Sequence, residues 1–208
     1  MTDTARTLIL ASASPRRKEI LEAHGHRPLV LPSDADESIP GGMDLSPEET
    51  AMFLAAQKAL AVAKSLPAHA PEAAAEGALV IGVDTIVYRD HIIGKPKDEA
   101  DALAILRSLK NGTHSVISGV CLISAGPAEK AGSGTVIQKT TIFYDTTLVT
   151  FDDYTDTDIL AYVRANPPYD KSGSYAIQSD WGRHAVRIDG STYNIIGFPY
   201  ERIEPYLR

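Results

Sequence analysis

The chain is poor in cysteine, in positive charge and in long apolar runs. A single cysteine, Cys121, stands among 208 residues, so no disulfide within the chain is possible. It sits in an apolar, strand-like run and reads as a core residue, which favours a reducing compartment and a cytoplasmic protein. Twenty Lys and Arg against 27 Asp and Glu leave a net charge of −7. That is the reverse of the basic surface a general nucleic-acid binder carries, so no nucleic-acid partner is expected. No uninterrupted apolar run approaches the roughly 20 residues of a membrane helix. The N-terminus shows no basic segment followed by a long apolar stretch, so neither a membrane span nor a secretory signal is expected. No tandem repeat is visible. What remains, 44% hydrophobic and 23% charged, is the composition of a single domain over residues 1–208 of ordinary α/β size.

Periodicity and punctuation place the elements. Residues 7–11 read as a buried strand, 15–24 as a helix and 28–32 as a second strand ending at Pro32. An acidic loop over 33–37 follows. A helix over 47–65 is opened by Ser46 and Pro47, with Glu48 and Glu49 in its first turn. The Ala-, Pro- and Glu-rich residues 66–77 read as a surface connection. A strongly apolar strand over 78–88, a turn at Arg89–Asp90 and a helix over 98–109 capped by Asp98 come next. Strands over 113–124 and 135–150 flank a loop at 125–134, a hairpin pattern. A helix over 155–165 ends at Pro167-Pro168. Strand-like pieces lie near 175–178 and 184–189, and a last helix spans about 199–207. The fold expected is α/β: a mixed twisted sheet flanked by helices, in two lobes with a cleft between them.

The chemistry begins at Leu8-Ile9-Leu10-Ala11-Ser12-Ala13-Ser14-Pro15-Arg16-Arg17. An apolar run stops at a small-residue turn, and proline takes a first helical position, where it loses no intrahelical bond. Ser12, Ser14, Arg16, Arg17 and the free N–H groups of a helix start converge on one point, which suits phosphate oxygens. Ser14 as a plain cap with two solvated arginines is the bland alternative. Cations at a helix N-terminus oppose its dipole, however, and the first turn holds no acid before Glu19, so an anion is expected there.

Asp84 interrupts the apolar strand, and a carboxylate in that setting calls for a partner. Two roles fit it: oxygen ligand to Mg²⁺, or base activating a water. Lys58 shares a helical row with Ala51, Leu54, Ala61 and Val62, so it either snorkels to solvent or enters a polar cleft. Lys95 lies between Gly94 and Pro96, which fixes the backbone after it. Asp34, Asp36 and Glu37 form a solvated acidic loop or complete a divalent-metal site with Asp84. Gln178 follows a strand-like piece, and its amide offers a donor and an acceptor side by side, as reading a base edge requires. His114 reads as a structural hydrogen-bonder, and Lys171 as a phosphate contact or an exposed residue.

Taken in order, these segments resemble the Maf family of nucleoside triphosphate pyrophosphatases. The resemblance runs through Ser12-Ala13-Ser14-Pro15-Arg16-Arg17, Lys58-Ala59, Asp84-Thr85-Ile86-Val87, Gly94-Lys95-Pro96 and His114-Ser115-Val116. It continues through Asp170-Lys171-Ser172-Gly173-Ser174-Tyr175-Ala176-Ile177-Gln178 and Ile196-Gly197-Phe198-Pro199. It implies hydrolysis between the α- and β-phosphates to a nucleoside monophosphate and pyrophosphate, with Mg²⁺ or Mn²⁺, in a homodimer. It implies that Arg16, Lys58 and Lys95 hold the triphosphate, that Asp84 is the catalytic acid, and that Glu37 assists at the metal. Arg17, Thr85 and Gln178 match the trio that marks the UTP/dTTP-preferring branch. Phe198 stands where leucine is common, and Ser179-Asp180-Trp181 where a glycine usually follows the glutamine. A non-catalytic nucleotide sensor linked to cell division is the alternative. Asp84 beside phosphate-binding cations speaks against it, since binding alone needs no such acid.

Overall fold

The computed structural model describes residues 6–41, 43–127 and 135–208. Strand β1 (Thr7–Leu10) runs into a short loop and then helix α1 (Pro15–Ala23). Strand β2 is only Leu29–Val30, shorter than the expected 28–32 because the chain turns away before Pro32, which has no N–H to add to a ladder. Helix α2 (Pro47–His69) starts with a full capping box. Ser46 Oγ accepts the Glu49 N–H at 3.1 Å, and the Glu49 carboxylate accepts the Ser46 N–H at 2.8 Å.

Residues 66–77, expected as a surface connection, are helical instead. α2 carries on through Pro67, and α3 (Pro71–Glu76) follows. Pro67 lies near the C-terminal end, where it breaks little of the hydrogen-bond ladder. Leu66, Ala70, Ala73 and Ala74 are buried, and this packing holds the segment helical.

Strand β3 (Ala78–Arg89) turns at Asp90, at φ 61°, into β4 (His91–Ile93). Helix α4 (Glu99–Leu109) is capped by Asp98, whose side chain accepts the Asp101 N–H at 2.8 Å. Strands β5 (Thr113–Pro127) and β6 (Thr135–Phe151) follow. The loop expected at 125–134 therefore begins later, since 125–127 continue β5; residues 128–134 lie outside the described residues. Helix α5 (Asp156–Ala165), strand β7 (Ala185–Asp189) and helices α6 (Thr192–Ile196) and α7 (Tyr200–Ile203) complete the chain. The last helix, expected over 199–207, gives way at Glu204 to a 3-10 turn over Glu204–Tyr206. Residues 175–178 form no strand. They are a turn between 3-10 segments at Ser172–Ser174 and Asp180–His184.

The sheet is mixed, with neighbours in the order β2-β1-β3-β5-β6-β7 and β4 beside β3. β1 pairs parallel with β2 (Ile9 opposite Leu29) and with β3 (Ile9 opposite Val80). The β3–β4 and β6–β7 pairs are antiparallel.

The chain divides into two compact units. One comprises residues up to Asp84 with Gly119–Tyr144; the other comprises Thr85–Ser118 with Asp145–Arg208. In the first unit, Ile9, Val80, Cys121 and Ile123 from the strands, with Ala11 just after β1, pack on Ala55, Ala59, Val62 and Leu66 of α2. Two glycines let that helix come close. A Cβ on Gly82 would lie 2.4 Å from the Ala55 carbonyl oxygen, and one on Gly119 would lie 2.1 Å from the Ala51 carbonyl. In the second unit, α4 and α5 pack with Phe151, Tyr154, Tyr175 and Trp181 in an aromatic core.

Candidate active site

The first unit carries a charged cluster built by β1, α1, α2 and β3. Lys58 enters on α2, from the turn that packs on Gly82. Gly82 and Asp84 share a face of β3 because alternate residues do. Gly82 faces the backbone of α2, and Asp84 meets Lys58 one step along. Lys58 Nζ donates to Asp84 Oδ1 at 2.5 Å and lies 3.0 Å from Glu37 Oε1. The Lys58 and Asp84 side chains are only 14% and 13% exposed, whereas Glu37 is exposed. The expected alternatives for Lys58 thus resolve: it is ion-paired. Of the acidic loop, Asp36 is turned to Ser38, accepting its N–H at 2.9 Å and its hydroxyl at 2.8 Å.

The β1–α1 turn lies in the same unit. Ser12 Oγ is buried and accepts the Ser14 N–H at 3.2 Å and Arg17 Nη1 at 2.9 Å. Ser14 sits at the cap position of α1 without a side-chain cap bond, and no acid occupies the first turn. Arg17 Nη1 also donates to the Val83 carbonyl at 2.7 Å. Arg17 therefore ties α1 to the peptide just before Asp84. Burial lowers its pKa, as does neighbouring Arg16, while Asp84 and Glu37 oppose the shift. Arg16 is half-buried on the first turn.

The second unit holds the other expected residues. Thr85 is half-buried; its Oγ1 lies 2.8 Å from Ser118 Oγ and donates to the Gly197 carbonyl at 3.4 Å. Lys95 is exposed after β4, and the carbonyl of Gly94 before it accepts the Gly173 N–H at 3.2 Å. Gln178 is exposed in its turn, not at a strand end. Lys171 is ion-paired with Asp170. His114 is buried, with Nε2 2.8 Å from the Tyr175 hydroxyl, and burial together with Arg89 lowers its pKa to about 4. It is structural, as expected. Ser118 and Asn194, which frame Thr85, escaped the sequence reading. The available signal was a lone hydroxyl in the apolar run Val116-Ile117-Ser118-Gly119-Val120.

The resemblance implies a divalent ion, and the cluster fits one on limited terms. Among the described residues, no group of three or more His, Cys, Asp or Glu side chains is arranged to hold a metal. Two carboxylates, Asp84 and Glu37, do converge on Lys58. That number suits Mg²⁺, which commonly takes one or two carboxylates and completes its shell with substrate phosphates and water. Among the described residues, no helix is long and apolar enough to cross a membrane.

Comparison with known proteins agrees over nearly the whole chain. The sequence profile of a family described as "Maf-like protein" matches residues 7–208. A dTTP/UTP pyrophosphatase from Bacillus cereus is 40% identical over 204 residues, covering 98% of this chain and 95% of that protein. Proteins of the same name from Bacillus anthracis and Bacillus thuringiensis are each 39% identical over 204 residues, with the same coverage.

Proposed function

The chain belongs to the Maf family, and from that premise we propose that it is a nucleoside triphosphate pyrophosphatase acting on dTTP and UTP. Water attacks the α-phosphorus, the bond to the α–β bridging oxygen breaks, and dTMP or UMP and pyrophosphate leave. The observation that carries the reading is the Lys58–Asp84 pair. A nearly enclosed carboxylate is held by one ammonium in the unit that also offers the Ser12–Arg17 turn.

A triphosphate brings about four negative charges, and attack at phosphorus requires their neutralisation. Arg16, the α1 N-terminus and Lys95 supply cationic and N–H contacts to the phosphates. Lys58 fixes Asp84 through Oδ1, which leaves Oδ2 to accept the proton of the attacking water. When bound, a divalent ion such as Mg²⁺ or Mn²⁺ would be held by Asp84 and Glu37 and would withdraw charge from the phosphate oxygens. Arg17, Thr85 and Gln178 shape the base site. Gln178 contributes the amide edge, while Arg17 and Thr85 are tied inward to Ser12, Val83 and Ser118. The working protein is a homodimer in the cytoplasm.

A panel of nucleoside triphosphates with product identification tests this. dTTP and UTP are expected to be cleaved in preference to ATP and GTP, with pyrophosphate released rather than phosphate. Gln178→Ala is expected to lower UTP hydrolysis more than residual ATP hydrolysis. Phosphate release, a purine preference, or an equal loss on every nucleotide in the variant refutes the corresponding part.

A further inference from the structure

Ser118 is fully buried on β5, the sheet neighbour of β3, and its hydroxyl lies 2.8 Å from Thr85 Oγ1. Thr85 is covalently next to Asp84 and leaves β3 on the opposite face. The two hydroxyls bring two protons to three bonds. One is the short link between them; the others, each 3.4 Å, are Thr85 to the Gly197 carbonyl and Ser118 to the Asn194 carbonyl. The short link always takes one proton, so Thr85 stays tethered whichever carbonyl takes the other. The anchor behind it is firm. Asn194 is fully buried, and its Nδ2 donates to the Val116 carbonyl at 2.9 Å and to Thr147 Oγ1 at 3.1 Å. That fastens α6, which presents the Asn194 carbonyl and ends at the Gly197 cap that presents the other, to β5 and β6.

We propose that Ser118 is a positioning residue of the pyrophosphatase reaction: acting through Thr85, it fixes the stretch of β3 that carries Asp84. Such a tether has no use for a strand that only needs to pair, and a buried hydroxyl in an apolar strand is otherwise a burden. A displacement of about 1 Å of a group that handles the attacking water costs up to about 100-fold in rate, and smaller ones cost proportionately less. Releasing the tether therefore acts on turnover more than on substrate affinity. The inference rests on the reading of the preceding section.

The test is steady-state UTP hydrolysis with Mg²⁺ at 25 °C by the full-length protein, with melting temperatures recorded in parallel. Ser118→Ala, Thr85→Val, the double variant and Ser118→Thr are compared with the wild type. Ser118→Ala is expected to lower kcat about three- to tenfold, the scale of one neutral hydrogen bond, with KM within about twofold. Thr85→Val, which also alters the base site, should lower kcat at least as far whatever it does to KM, and the double variant should fall no further in kcat than Thr85→Val alone. Ser118→Thr, which keeps the hydroxyl, should restore kcat; should its extra methyl group prevent folding, the cycle of the other three variants decides. A Ser118→Ala enzyme with wild-type kcat, a loss confined to KM, or losses that multiply in the double variant overturns the proposal. A wild type that releases no pyrophosphate from UTP overturns the underlying reading instead.

Discussion

Gly82→Ala tests whether the close approach of α2 to β3 builds the charged cluster. A Cβ at this position would lie 2.4 Å from the Ala55 carbonyl oxygen and 2.8 Å from the Ala59 nitrogen and Cβ. These are mostly backbone atoms, which cannot swing aside as the end of a side chain can. To restore an ordinary contact of 3.4 Å, α2 must retreat by about 1 Å. Lys58 lies on that same stretch of helix, and its 2.5 Å bond to Asp84 opens with it. Overpacking of this kind typically destabilises by about 1–3 kcal/mol. For a chain of this size that lowers Tm by about 2–12 °C. A 1 Å misplacement of a catalytic group lowers kcat/KM by up to about 100-fold. The assay is pyrophosphate release from UTP well below the lowered Tm, beside a thermal melt. Gly41→Ala, where an added Cβ meets nothing within 4 Å, serves as the neutral control. A Gly82→Ala protein with wild-type Tm and wild-type kcat/KM would refute the reasoning.

Asp84→Asn is expected to lower turnover by at least about 100-fold while the protein still folds; near-normal pyrophosphate release would remove Asp84 from the chemistry. Chelation with EDTA should abolish hydrolysis, and added Mg²⁺ or Mn²⁺ should restore it; full activity without metal contradicts the electrostatic account. His114 is buried neutral, with its pKa lowered from 6.5 to about 4. The unfolded chain therefore binds the extra proton first as pH falls, and stability declines from about pH 6.5 until it levels near pH 4. The loss is about 2 kcal/mol between pH 7 and pH 5, read from urea melts. His114→Gln should flatten that slope, and an unchanged slope assigns it to other groups.

What the sequence made legible was local. Ser46, Pro47 and Glu49 announce α2 and Asp98 announces α4, because caps depend on adjacent residues. The Ser12–Arg17 turn was readable for the same reason. α3 was hidden because two prolines and a run of alanines and acids resemble a loop; only burial of Ala73 and Ala74 makes them helical. The alternation of Tyr175 and Ile177 imitates a strand, but Ser174 at φ 61° and the 3-10 segments on either side forbid one. In the cluster, Lys58 and Asp84 stand 26 residues apart, and no local pattern encodes their contact. Ser118 showed only as a lone hydroxyl in an apolar run, and its partners Thr85 and Asn194, 33 and 76 residues away, were hidden for the same cause.

The division of the chain has a consequence for synthesis. The first unit is interrupted by Thr85–Ser118 and completed only by Gly119–Tyr144. On the ribosome, β1, α2 and β3 emerge with their core open on the side that β5 will close. Cys121 and Ile123, which fill that core, arrive only after α4 has been made. Nucleation of this unit must therefore wait for a long-range pairing, and such closures are slow because the loop entropy precedes the contact. A nascent chain halted before Gly119 would expose the apolar inner face of α2, and chaperone capture should peak there and fall once Tyr144 has left the exit tunnel.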